Sequence, residues 1–115
     1  GYNPLLPFSE NSRYDIAVDE DGELTRLQCK TAWENEEKIL FNCCDIRHSG
    51  GNAGRVGYDA SEIDGFAVLT PSEDLLWVPI EEAPNAEMTL REEPSESKYS
   101  SGSNLIEDYL FEDRF

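Results

Sequence analysis

The chain has 115 residues, 38% of them hydrophobic, which is enough for one domain around one modest core and too little for two. Its 25 acidic and 9 basic side chains give a formal charge of −16, which excludes a uniformly basic nucleic-acid binder. No run nears the roughly 20 apolar residues that span a bilayer. Residues 1–9 also lack the charged start and apolar stretch of a signal peptide, so a soluble, cytoplasmic protein with no membrane partner is expected.

The charge is uneven. From Ile46 to Tyr58 there is no acidic residue, while Arg47, His48 and Arg55 all fall inside that stretch, so this segment can meet a phosphate backbone. The acidic remainder has two readings. One is a salt-adapted surface, as in an extreme halophile, because at about 1 M salt the Debye length falls to about 3 Å and self-repulsion fades. The other is an acidic surface that keeps the protein soluble at ordinary salt. Cys29, Cys43 and Cys44 are odd in number and contain no C-x-x-C pair, so they read as reduced, strand-packed residues rather than a zinc site.

Taken in chain order, Arg13 to Val18 and Leu24 to Lys30 are strand-like runs around Asp21-Gly22, a strong two-residue hairpin signal. Lys38 to Cys44 alternates as a third strand, expected to extend that hairpin, with Glu34 to Glu37 as the connecting turn. A glycine-rich stretch with Gly50, Gly51, Gly54 and Gly57 reads as a mobile surface loop. Ala60 to Asp64 can supply one helical turn. Phe66 to Thr70 and Leu75 to Ile80 read as a second hairpin, buried on both faces, with Pro79 near a strand end or edge. Glu87 to Arg91 is one more short strand. The expected fold is α+β, with a mixed, largely antiparallel central sheet and few short helices. Residues 1–91 form the expected core, residues 92–103 a flexible linker rich in Glu, Ser and Pro, and residues 104–115 an apolar segment docking on the core or on a partner.

With Asp21 and Gly22 as the turn residues, Val18 faces Thr25, Ile16 faces Leu27 and Tyr14 faces Cys29 on one mostly apolar side. The other side then pairs Arg13 with Lys30, Asp15 with Gln28 and Ala17 with Arg26, directly opposed Cβ atoms being about 4.5–5.5 Å apart. A carboxylate, an amide oxygen and an ammonium thereby converge. Mg²⁺ takes hard oxygen ligands from one or two carboxylates and keeps several waters that a substrate phosphate can displace. Asp15 is the principal candidate ligand, joined by the Gln28 side-chain oxygen and the Cys29 backbone carbonyl. Lys30, two residues beyond Gln28 and on its face, can orient water or stabilise charge on the phosphate. From pattern alone, the same residues also describe an ordinary solvated sheet face.

The run "NSRYDIAVDEDGELTRLQCKTA" resembles the PD-(D/E)xK homing endonucleases associated with group I introns, of which related domains occur widely in salt-loving archaea. The resemblance continues through "LFNCCDIR", "GYDASEIDGFAVLTP", "LLWVPIEEAP", "EMTLR" and "IEDYLFEDRF", so it spans essentially the whole chain. It implies a restriction-endonuclease-like fold that hydrolyses phosphodiester bonds of double-stranded DNA with Mg²⁺ or Mn²⁺. It makes Asp15 the metal-binding acid, Gln28 the variant of the usual acidic position, and Lys30 the catalytic lysine. Two departures stand out. Gln28 removes one negative charge from the metal site, and the glutamate that the family carries on a helix ahead of the first strand has no counterpart here, that helix being absent from the expected elements. Two functions follow: a metal-dependent endonuclease acting as a homo-oligomer, since cutting two strands at one locus needs two sites, or a nuclease-fold module that binds DNA or protein without cleaving.

Arg13, Arg47, His48 and Arg55 are the candidate DNA contacts, an effect that is sequence-independent and salt-sensitive. His48, the only histidine, reads equally as a loop residue and leaves a Ser-His-Asp triad little to build on. Trp33 and Trp77 read as packing residues, with base stacking open to Trp33. Asp59, Glu62 and Asp64 are not assigned to the metal, because capping of a helical turn explains at least one of them.

Overall fold

The computed structural model describes residues 3–7, 12–49, 52–93 and 104–115, with the backbone alone for residues 45–49 and 52–56. The Asp21-Gly22 turn joins β2 (Ile16–Glu20) to β3 (Glu23–Thr31). Both turn residues have positive φ, 53° and 96°, the primed geometry that matches strand twist and that Asp-Gly adopts readily. The Asp19 carboxylate locks it by accepting from Gly22 N at 2.8 Å. The ladder pairs Ile16 with Leu27, Ala17 with Arg26 and Val18 with Thr25, the expected register.

Three sheets are built among the described residues. In the first, β1 (Asn3–Leu5), β2, β3, β8 (Gly65–Leu69) and β9 (Leu75–Pro79) lie in that order. All neighbours are antiparallel except β3 and β8, which run parallel with Gln28 beside Phe66 and Lys30 beside Val68. Pro79 ends β9 at the sheet's edge, where its missing N–H costs no ladder bond. The second sheet runs β11 (Asn104–Leu105), β10 (Glu87–Arg91), β5 (Lys38–Asn42), β4 (Trp33–Asn35). The third is a two-stranded hairpin of β6 (Cys44–Ser49) and β7 (Asn52–Gly57). The chain is thus mixed, mostly antiparallel, with one short α-helix among the described residues, α1 (Phe111–Arg114).

Two expectations are corrected here. The Lys38 strand does not extend the first hairpin; it pairs with β4 and β10, and its apolar face closes on the first sheet. Strand periodicity names a face to bury, not the sheet that buries it. Gly54 and Gly57 of the glycine-rich stretch do not lie in a loop either: Cys44 pairs with Gly57 and Arg47 with Gly54 in a six-rung antiparallel ladder, while Gly50 and Gly51 lie outside the described residues.

Both faces of the first sheet are covered. One meets the second sheet, where Phe41, Met88 and Leu90 pack on Phe66, Val68, Leu76 and Val78. The other holds Val18, Leu27, Ala67 and Trp77 under Phe111 and Phe115. Trp77 meets Phe115 edge-on at 5.3 Å between centroids, and Leu110 bridges to Leu76. The charged cap Arg114 reaches Glu20 at 3.0 Å, so residues 104–115 pack on the described body. The stretch expected as a linker lies largely outside the described residues, at 94–103.

Candidate nuclease site

The site forms where β2 begins. Asp15 N donates to the Leu27 carbonyl at 2.9 Å, although Ile16 already pairs with Leu27. Two residues therefore oppose one, a β-bulge that ends the regular ladder and re-aims the bulged side chain. The expected pairs of Asp15 with Gln28, Tyr14 with Cys29 and Arg13 with Lys30 do not form. Tyr14 instead joins the core between the two sheets, on the face opposite Ile16, because the bulge advances the alternation by one.

The bulge turns the Asp15 carboxylate to the sheet backbone. Its Oδ2 accepts from Cys29 N at 2.9 Å, between Gln28 and Lys30 in sequence. Asp15 is exposed and Gln28 half-buried. Arg26 bonds toward the β8 side, its carbonyl accepting from Asp64 N. Strand alternation then turns Leu27 and Cys29 main-chain groups the other way, so the Cys29 carbonyl emerges at the edge that holds Asp15. The Asp15 carboxylate and the Cys29 carbonyl thus share the edge at one end of the β2–β3 hairpin, while Gln28 lies beside Phe66 of β8.

Lys30 shares the inner face with Gln28, each lying next to a core residue of β8. Its Nζ donates to the Cys44 carbonyl at 3.2 Å and stands 5.3 Å from the centre of the Tyr58 ring. Tyr58 lies edge-on to Phe66 at 5.6 Å. Arg13 is drawn into this packing: its guanidinium lies 4.2 Å over Tyr58, donates to the Gly57 carbonyl at 3.0 Å and pairs with Glu62 at 2.8 Å. The Nε of that ion pair is buried without hydrogen-bond alignment, so its attraction is chiefly electrostatic. Arg47 and Arg55 pair with Gly54 and Ile46 along the β6–β7 hairpin, and His48 with Ala53.

Asp59, Glu62 and Asp64 are spent on structure. The Asp59 carboxylate accepts from Ser61 N at 2.8 Å and from the Ser61 hydroxyl, while Ile63 N returns to the Asp59 carbonyl, closing a tight turn. These bonds hold the Asp59 carboxyl below its ordinary range. Asp64 accepts from Arg26 N at 2.7 Å and from Arg26 Nε at 3.2 Å. Burial alone would raise the Asp64 carboxyl, but the Arg26 hydrogen bonds and charge outweigh it and lower it. Arg26 also donates to the Ser61 and Ala60 carbonyls at 2.7 and 3.0 Å, so one guanidinium staples the 59–64 turn to β3. Cys43 lines a cavity of about 260 Å³ with Tyr58 and Asp59. Burial pushes its thiol up to about 12.

A family model described as PD-(D/E)XK endonuclease matches residues 1–112. The chain belongs to the PD-(D/E)XK endonuclease family. A solved structure described as that of a bacterial homing endonuclease superposes with a TM-score of 0.73 at 19% identity, covering 98% of this chain and 77% of that one. At that identity the likeness is one of fold. A search of curated proteins returned no match. Asp15 directly precedes β2, and Gln28 and Lys30 lie on β3. Tyr58 and the Arg26–Asp64 staple carry no motif of their own. The first is one aromatic after a glycine, and the second is a long-range pair whose partners lie on β3 and on the turn before β8.

The family uses a divalent metal. Among the described residues no group of three His, Cys, Asp or Glu side chains converges, so a cation here would rest on one carboxylate. By donor type the groups nonetheless suit a hard ion: the exposed Asp15 carboxylate, the half-buried Gln28 amide and the Cys29 main-chain carbonyl are all oxygen donors.

Proposed function

We propose that this chain is a metal-dependent DNA endonuclease domain whose reactive centre is Asp15, Gln28, the Cys29 carbonyl and Lys30. The observation that carries the reading is the bulge, which gives an otherwise ordinary polar strand face a carboxylate directed to the main chain between Gln28 and Lys30. A strand bulge beside a cluster of oxygen donors is a common way to re-aim a catalytic side chain. Asp15, Gln28 and the Cys29 carbonyl would hold Mg²⁺ or Mn²⁺. When bound, such an ion polarises a phosphoryl oxygen and lowers the pKa of water.

The protein's own groups do the rest. The Asp15 carboxylate gains rigidity from the Cys29 N–H and offers its other oxygen outward. Lys30 has no lone pair when protonated, so it is not a ligand; its ammonium stabilises the charge that grows on the phosphate as water attacks. The β6–β7 hairpin, which carries no acidic residue from Ile46 onward, approaches the double-stranded DNA backbone through Arg47, His48 and Arg55, the stretch with the least repulsion in a strongly acidic chain. Arg13 supports that hairpin's root rather than meeting DNA. Cutting both strands calls for two such centres, hence a symmetric pair of chains or a higher oligomer.

The test is DNA cleavage with Mg²⁺ by the protein in its native length, set beside metal and DNA binding. Lys30→Ala is expected to abolish cleavage, by about 10²-fold or more, while both bindings persist, because its contribution lies in the transition state. Asp15→Asn is expected to weaken metal affinity as well. Cleavage by Lys30→Ala at the parental rate would remove this site, and DNA binding without cleavage by the parent would favour a nuclease-fold binding module.

A further inference from the structure

Both groups that hold the Lys30 ammonium come from the root of the β6–β7 hairpin. Nζ donates to the Cys44 carbonyl, and Cys44 forms the hairpin's first rung with Gly57. Tyr58 follows Gly57 directly, and its ring centre lies 5.3 Å from Nζ, inside the roughly 6 Å reach of a cation–π contact. Among the described residues Lys30 has no carboxylate partner. A lysine ammonium on a four-carbon stem has many rotamers of similar energy. Its aim is therefore set by these two neutral groups.

The ring is itself well held. Phe66 meets it edge-on at 83°, and Arg13 lies over it at 4.2 Å. Arg13 is anchored on the Gly57 carbonyl and answered electrostatically by Glu62. Of the two cations over the ring, Arg13 also has a carboxylate partner in Glu62, whereas Lys30 has none among the described residues.

We infer that Tyr58 is a positioning residue for Lys30: its ring face, together with the Cys44 carbonyl, sets where the ammonium stands. The role assigned to Lys30 rests on the endonuclease reading; the contact itself does not. The ring face suffices for this task, so phenylalanine can replace tyrosine. Leucine, which fills similar core volume without a quadrupole, cannot.

The experiment compares the native protein with Tyr58→Phe, Tyr58→Leu and Lys30→Met. NMR of lysine-labelled protein reads the Lys30 Hε protons, and cleavage kinetics give kcat and KM. In the native protein and in Tyr58→Phe, the Hε signals are expected upfield of exposed lysines, with an Overhauser contact to the ring at position 58. Tyr58→Phe keeps kcat within about twofold. Tyr58→Leu loses the upfield shift and lowers kcat roughly 2- to 30-fold, the range of a cation–π contact, with KM unchanged. Lys30 signals at the exposed-lysine position in the native protein would overturn the inference, as would equal kcat for the Phe and Leu variants. The native-protein spectrum decides the matter even if Tyr58→Leu fails to fold. Parental cleavage by Lys30→Met would instead remove Lys30 from the reactive centre, while the NMR contact still reports on Tyr58.

Discussion

Arg26 and Asp64 illustrate how single residues hold this site in shape. The pair lies on β3 and on the turn before β8, so it fixes the turn to the strand that bears Gln28 and Lys30. Because the folded Asp64 carboxyl is lowered, its contribution is fully present above the unfolded carboxylate value of about 3.9. It is lost as pH falls through the folded value. The side chain is 39% exposed, so solvent screens the pair and the effect is modest. Thermal unfolding followed by circular dichroism is expected to show Asp64→Asn less stable than the parent near neutral pH. The gap should close below about pH 4, and a gap independent of pH would mean that the carboxylate's charge is not what matters. Spacing from the two-residue turn gave the facing positions correctly from Glu20–Glu23 as far as Ile16–Leu27, and failed at Asp15, where the bulge breaks the count. Tyr58 could not be picked out, since nothing in its neighbours says which cation it will meet.

At the scale of elements, the β2–β3 register was readable because Asp21-Gly22 admits one turn geometry. The bulge at Asp15 was not, because it arises where β2 begins while β3 runs on to Thr31, and a carboxylate replaces a main-chain acceptor there. Partition into sheets was equally hidden: Lys38–Asn42 and Ile16–Glu20 have similar patterns, and only the tertiary packing separates them. The β8–β9 hairpin, read correctly as buried on both faces, makes a sharp demand at Gly65. A Cβ there would lie 2.5 Å from the Val78 carbonyl and 2.6 Å from the Trp77 ring. Gly65→Ala is therefore expected to cost about 1–3 kcal/mol, read as a lowered denaturant midpoint; an unchanged midpoint would show that β9 yields freely. The β6–β7 hairpin makes a functional demand. In a filter-binding assay, Arg47→Ala with Arg55→Ala is expected to weaken DNA binding alike for all sequences. The slope of log affinity against log salt should flatten by roughly 2, and unchanged affinity would take the hairpin out of the interface.

For the whole molecule the dominant quantity is the charge of −16, spread over a small body. Self-repulsion opposes folding wherever it is unscreened. The Debye length shortens from about 10 Å to about 3 Å between 0.1 and 1 M salt, so the Tm is expected to climb steadily over that range in sodium chloride. Sucrose of equal osmolarity should give a smaller rise, and equal rises would assign the effect to solvent exclusion rather than to charge. Among the described residues no helix is long and apolar enough to cross a membrane.

The parallel pairing of β3 with β8 also governs how the chain reaches its fold. The β2–β3, β4–β5 and β8–β9 hairpins join neighbours in sequence and can zip within microseconds. The rung that sets Lys30 beside Val68 must wait until residues 32–64 have closed a long arc, and such non-local contacts repay their loop entropy late. During that wait β3 offers a bare edge, with Leu27 uncovered on one face. The strand that bears Gln28 and Lys30 is therefore open to mispairing with another nascent chain until β8 arrives, and the chain's net charge of −16 opposes such an encounter.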